Sequence, residues 1–262
     1  WGKGAGRRLT NRPIVLVVLD APVLNRSTPG QLNANLVGKI KESKGGSGRA
    51  KIVLAYLNMG QAESWRYYWT KEWKPPTKTG PGKPDFILAA DPDGWVDNYM
   101  VAYWDQRWRQ LLFEGKDSML VRVVNAGFDG IYMDWVEGYD TPPVKAAAKA
   151  KGKNAIQETV RMIRDVRAKA RELAGGSFLM VAQNGASMVR KASGYLDHID
   201  AISQEHVFYK GEADRAWTHP KACDIAMKAS DTNYYKSDLA HFLTAGKPVF
   251  NIEYACAEAK IK

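Results

Sequence analysis

A repeating alternation runs through this chain. A strand-length apolar run closes on a polar or acidic residue, and a stretch of helical character follows. The runs occupy 13–20, 51–58, 85–91, 129–134, 178–183, 198–205 and 248–253. Near-continuous apolar runs of this length suit parallel strands covered on both faces. Helical spacing of apolar residues marks 31–43, 99–113, 154–174 and 237–245, and the third of these stops at Gly175 and Gly176, a common helix terminator. Strand–helix alternation specifies the α/β class with a parallel sheet. A doubly wound open sheet would carry a glycine-rich turn after its first strand, but residues 20–25 read Asp-Ala-Pro-Val-Leu-Asn. The expected architecture is therefore a TIM (β/α)8-type barrel over residues 1–262 as a single domain, since one such domain takes about 250 residues. Seven runs are visible, so the eighth βα unit is expected to be missing from this chain. Residues 71–83, rich in Pro, Gly and Lys, and 138–153, rich in Lys and Ala, read as long loops in βα connections.

Each apolar run is too short to cross a bilayer, which takes about 20 residues, so no membrane span is expected. The net charge is +10. Its Lys and Arg residues are spread along the chain, and the dense stretch 161–171 sets its charges opposite Ile163, Val166 and Ala170. That is the solvated face of an amphipathic helix, so no nucleic-acid partner is expected and the chain is expected to be a monomer. The first residue is Trp1. A removed N-terminal signal, and with it a secreted or periplasmic location, is the expectation. Cys223 and Cys256 have neither metal-site nor CxxC spacing,. Two unpaired thiols are expected in preference to a disulfide. His198, His206, His219 and His241 form no HExxH or HxH pattern, so no metal and no cofactor is expected. Neither a GxSxG elbow nor a GxxxxGK[ST] loop occurs.

In a barrel, all strand C-termini converge on one face. The residues at or just beyond those ends are Asp20; Tyr56, Asn58, Gln61 and Glu63; Asp91 and Asp93; Asp134 and Glu137; Gln183 and Asn184; Gln204 and Glu205; and Glu253. Asp20 and Asp91 can equally serve as helix or turn caps. Asp134 closes an otherwise apolar strand and is followed by Trp135, not by a capping pattern. Glu is a poor N-cap, which singles out Glu205 as well. Asp134 and Glu205 are therefore the catalytic candidates. Paired carboxyl groups suit glycoside hydrolysis, where one must hold a proton and the other must be ionised. The chain has nine Trp and twelve Tyr. Trp65, Trp95 and Trp135 fall in strand-end loops, where flat rings can stack on sugars, whereas Trp104 and Trp108 have the spacing of helix core. His206 follows Glu205 and is expected to point to the opposite side of its strand.

Several segments carry a family resemblance. They are the stretch 56–69 containing GQAESWR, the DPDGW of 91–95, the VAYW of 101–104, the AGFDGIYMDW of 126–135, Gln183-Asn184-Gly185, the QEHVFY of 204–209 and the GKPVFNIEY of 246–254. From the first strand to the last, the chain resembles glycoside hydrolase family 114, the endo-α-1,4-polygalactosaminidase family. The resemblance implies a TIM barrel and an endo-acting hydrolase of α-1,4-linked galactosamine polymers. It implies Asp134 as nucleophile or base and Glu205 as acid. With the strand-end positions, it marks Asp20, Tyr56, Glu63, Trp65, Arg66, Asp91, Trp95, Trp135, Glu137, Gln183, Asn184, Gln204 and Glu253 as substrate-binding candidates. The partner implied is a polysaccharide or oligosaccharide. One departure is Ala186, where an acidic residue often follows the Gln-Asn-Gly segment. The competing reading is a non-catalytic barrel that binds polysaccharide.

Overall fold

A computed structural model of the chain describes residues 15–21, 24, 33–43, 48, 50–212, 219 and 221–257. In chain order its strands are β1 (Leu16–Asp20), β2 (Ile52–Asn58), β3 (Gln61–Glu63), β4 (Ile87–Ala90), β5 (Asn98–Val101) and β6 (Gly130–Asp134). They continue with β7 (Leu179–Gln183), β8 (Ala201–Glu205), β9 (Tyr209–Lys210), β10 (Ile225–Ala226) and β11 (Val249–Ile252). The helices are α1 (Asn33–Glu42), α2 (Gln106–Arg109), α3 (Met119–Asn125), α4 (Pro142–Ala150), α5 (Ala155–Ala174), α6 (Met188–Lys191) and α7 (Ala229–Thr244).

The central element is a six-stranded parallel sheet in the order β1-β2-β6-β7-β8-β11, curled into a half-barrel of TIM type. Strand periodicity of two decides what its concave face carries. Leu16, Val18, Ile52, Leu54, Tyr56, Tyr132, Leu179, Val181 and Ala201 pack together there as an apolar floor. Continuing the same alternation toward the strand C-termini brings Asp20, Asn58, Asp134, Gln183 and Glu205 onto that face above the floor. The residues between them point outward. Val53, Ala55, Leu57, Ile131, Met133, Met180, Ala182 and Ile202 are buried under the helices. Helix α5 contributes Ile163, Val166 and Ala170 to this outer core. It begins where Asn154 accepts from the Gln157 N–H and ends at Gly175 with φ 64°. The basic residues are not confined to a solvated face, because Arg167 reaches back to Asp200 at 2.7 Å, and Asp200 also accepts from the Met180 N–H. At Gly130, an added Cβ would lie 2.3 Å from the Leu179 carbonyl oxygen, so β6 and β7 can pair only because this position has no side chain.

Four expectations are corrected. The third apolar run does not join the parallel sheet. Its β4 forms a separate antiparallel sheet in the order β3-β5-β4, and β2 pairs directly with β6. The helix expected over 99–113 begins as strand β5, because Tyr99, Met100 and Val101 are buried between β3 and β4. Helix α2 starts only after Asp105, whose side chain caps it by accepting from the Arg107 N–H, and it passes into a π-helical turn over Gln110–Glu114. Residues 138–153 are not a loop but mainly a 3-10 turn over Val136–Asp140 followed by α4, which opens with proline at its first helical position,. Finally, Cys223 and Cys256 form a disulfide. The short β9–β10 ladder brings Cys223 beside the segment that follows β11, a juxtaposition that spacing along the chain does not reveal.

Candidate active site

The concave face carries Asp134 at its centre. Tyr56 Oη donates to Asp134 Oδ2 at 2.5 Å, and the Trp135 N–H donates to Oδ1 at 2.8 Å. Burial is the largest influence on this carboxyl and pushes it up to about 6. The two donors oppose that rise, and the nearby Glu205 charge adds to it,. Burial and then the Asp134 charge hold the Tyr56 hydroxyl well above its ordinary range, so it remains a proton donor. Glu205 stands two strands away on β8. Gln183 Nε2 and Asn184 Nδ2 both donate to its Oε2 at 2.9 Å. Asn184 is fixed in turn, because its Oδ1 accepts from the Glu205 N–H and from Gln204 Nε2.

Three strand ends share one backbone device. Trp135, Asn184 and His206, each immediately beyond a strand, have φ of 55°, 62° and 59°. Asn adopts this left-handed conformation readily, but for Trp and His it costs roughly 1–2 kcal/mol. Strain of this kind concentrates at functional sites. Here it turns the chain sharply off each strand, and at Trp135 it folds the backbone N–H back onto Asp134. It also corrects the expectation for His206. Strand alternation has ended, and the His206 ring packs with centroids 4.7 Å apart on Tyr254, whose own hydroxyl reaches Glu205.

A ring of further carboxyl groups surrounds the pair. Arg66, only 1% exposed, donates through Nε and Nη2 to both oxygens of buried Glu63 and through Nη1 to Asp20 at 2.6 Å. Burial works against the guanidinium charge, but the Glu63 and Asp20 carboxylates more than offset it. Burial likewise pushes Glu63 up to about 7 against the pull of Arg66. Glu137, in the turn after β6, is pushed up to about 8, by burial first and then by the Asp134 charge. Asp93 is raised by burial and by the charges of Asp91 and Glu205. These groups lie close enough to oppose one another's ionisation, which makes the concave face an acidic centre on a basic chain.

The remaining candidates divide by what they touch. Asp91 accepts from Gln61 Nε2 at 2.6 Å and from the Asp93 and Trp95 N–H groups, so it shapes the loop that presents Asp93 and Trp95. Trp65 and Trp95 are exposed, and Arg66 lies 5.7 Å from the Trp65 ring centroid. Trp135 is half-buried against the core. Gln204 is buried and serves Asn184. Glu253 accepts from the Val207, Phe208 and Tyr209 N–H groups, so its carboxylate anchors the turn after β8. Sequence reasoning passed over Tyr254, whose Oη lies 3.4 Å from Glu205 Oε1. An aromatic residue just past a strand end was the available signal. Among the described residues, no group of three or more His, Cys, Asp or Glu side chains is arranged to hold a metal.

Chemically, the face offers two carboxyl groups with different donor sets over one apolar floor, an arrangement suited to acid–base cleavage of an acetal. Comparisons with known proteins give the family and the fold. An uncharacterized protein of Deinococcus radiodurans is 33% identical over 214 residues, covering 82% of this chain, and the chain spans 59% of that relative's length. The glycoside hydrolase domain of PelA from Pseudomonas aeruginosa shares the fold at a TM-score of 0.63 and 15% identity, over 98% of this chain and 82% of that one. Aspergillus fumigatus Ega3, solved in complex with galactosamine, shares it at 0.54 and 17%, over 93% and 76%. The profile of glycoside-hydrolase family GH114 matches residues 35–262, and the chain belongs to that family.

Proposed function

We propose that this glycoside hydrolase cuts internally within α-1,4-linked galactosamine-containing polysaccharide, using Asp134 and Glu205 as its carboxyl pair. One observation carries the reading: the two carboxyl groups rise from alternate strands onto one concave face, where the Glu205 charge adds to the cost of ionising Asp134. Glu205 gives its proton to the leaving glycosidic oxygen as that oxygen's bond to the anomeric carbon breaks. Asp134, ionised above about 6 and held by Tyr56 and the Trp135 N–H, attacks the anomeric carbon or takes a proton from the water that does.

The substrate class follows from charge. A deacetylated galactosamine polymer is cationic. Asp91 and Asp93, with an Asp20–Glu63 pair that shares the single charge of Arg66, give the face an acidic field that favours it. Exposed Trp65 and Trp95 supply apolar ring faces beside that field, suited to sugar stacking. Galactosamine in Ega3 supports the same sugar here. The disulfide fits an oxidising compartment, hence secretion or a periplasmic location. No helix among the described residues is long and apolar enough to cross a membrane.

The test is release of reducing ends from α-1,4-oligogalactosamine. Cleavage by the unaltered enzyme is expected, with Asp134→Asn and Glu205→Gln each lowering kcat about 10²–10⁴-fold. Binding without cleavage would favour the polysaccharide-binding barrel, for which Ala186 is the sequence argument. Full activity in both amide variants would overturn the assignment of the pair.

A further inference from the structure

The proton that Glu205 transfers has one place to reside. Both amide donors, Gln183 Nε2 and Asn184 Nδ2, occupy Oε2. An oxygen that already accepts two N–H groups is poorly placed to carry a proton as well. The exchange therefore occurs at Oε1, and among the described residues Tyr254 is its hydrogen-bond partner, at 3.4 Å. That distance is long for an O–H···O bond, as catalytic contacts often are before substrate binds. Burial, reinforced by the Glu205 charge, pushes the Tyr254 hydroxyl up to about 12, so it is a donor throughout the neutral range.

Tyr254 belongs to no regular element, and its position is set by a clamp. Its carbonyl accepts from the Asp224 N–H at 2.7 Å, and its N–H reaches the Tyr209 carbonyl at 3.5 Å. The preceding Glu253 is pinned by three backbone N–H groups of residues 207–209. Two residues beyond Tyr254, Cys256 is bonded to Cys223, and its N–H donates to Asp224 Oδ1 at 2.9 Å. The β9–β10 ladder closes the clamp on the other side. Cys223 is buried, but Cys256 is exposed, so a thiolate can reach one sulfur of the bond.

We propose that Tyr254 is a positioning residue that steers Oε1 of Glu205, and that the Cys223–Cys256 disulfide straps it in place, so that enzymatic activity depends on the redox state of this bond. The proposal rests on the reading of Glu205 as the acid. As Glu205 loses its proton, the Tyr254 O–H donates to the new charge on Oε1. A dithiol reductant opens the strap by supplying two electrons and two protons. The protein disulfide becomes two thiols, and the dithiol becomes its own cyclic disulfide.

The experiment compares the intact enzyme, the same enzyme held in excess dithiothreitol, Tyr254→Phe, and the double variant Cys223→Ser/Cys256→Ser, all on α-1,4-oligogalactosamine. Loss of a hydrogen bond to a charge predicts kcat lower by about tenfold in Tyr254→Phe, with KM within about twofold. Reduction should lower kcat by a similar factor, and reoxidation should restore it. Reduction should add little to Tyr254→Phe, and the double variant should be low in activity and indifferent to reductant. Hydrogen exchange of residues 250–257, which needs no substrate, should accelerate on reduction. Unchanged exchange there overturns the strap even if the oligosaccharide is not cleaved. Beside an inactive Glu205→Gln, full kcat in Tyr254→Phe overturns the positioning role, and full kcat in the reduced enzyme overturns the redox dependence. An active Glu205→Gln overturns the reading beneath it, and the proposal with it.

Discussion

Replacing Arg66 with methionine removes a charge but keeps much of the side chain's length, and the structure fixes what that should do. The guanidinium is 1% exposed. It gives Glu63 a two-pronged contact, with hydrogen bonds of 2.6 and 3.0 Å, and gives Asp20 one of 2.6 Å. Asp20 is part-exposed and can turn to water, but Glu63 is buried and cannot. Removing one member of a buried pair costs about 3–5 kcal/mol, because the other charge is left without compensation. With an unfolding entropy of about 2.1 cal/mol/K per residue, a chain of this length loses roughly 5–9 °C in Tm. The loss should depend on pH. Glu63 is already pushed up to about 7 with Arg66 beside it and rises further without it. The native variant then holds a proton that the unfolded chain, with an ordinary glutamate near 4.3, has released. Stability therefore falls as pH rises through that window, and the deficit against the unaltered protein is larger at pH 8 than at pH 5.5. Thermal melts at both pH values measure this, and the double variant Arg66→Met/Glu63→Gln should recover most of the lost Tm. An unchanged Tm, or an equal loss at both pH values with no rescue by the second substitution, would refute the account of a buried, mutually dependent pair.

Two further predictions use other contacts. Tyr56→Phe removes one of the two donors that hold Asp134 near 6, so the Asp134 carboxyl should rise. The acidic limb of the kcat/KM profile should then move to higher pH by about one unit, and a limb that stays put or moves down would show that Asp134 is not the group ionising there. Gly130→Ala should force β6 and β7 apart, because the added Cβ meets the Leu179 carbonyl oxygen at 2.3 Å and its Cβ at 2.6 Å. About 1–3 kcal/mol should be lost in denaturant unfolding, and a change below about 0.5 kcal/mol would mean that the strands yield without cost.

The alternation of strands and helices, and the polar residues that stand at the strand ends, were legible in the linear pattern. Both are local: period two and period 3.6 are properties of neighbouring residues. Hence Asp20, Tyr56, Asp134, Gln183 and Glu205 could be assigned to one face before any coordinates. The motif segments were equally legible, and the GFDG stretch contains the glycine that lets β6 and β7 meet. Packing in three dimensions set what these residues do to one another. It sent the third apolar run into an antiparallel sheet, because Ile87 and Val101 found a β partner in each other rather than a place between β2 and β6. It turned Glu253 toward backbone amides and brought Tyr254 to Glu205. It joined Cys223 to Cys256 across a separation of 33 residues. It also placed several carboxyl groups where burial and mutual repulsion raise their protonation. Those outcomes depend on distances through space and on exclusion of water, and a linear pattern encodes neither one residue at a time.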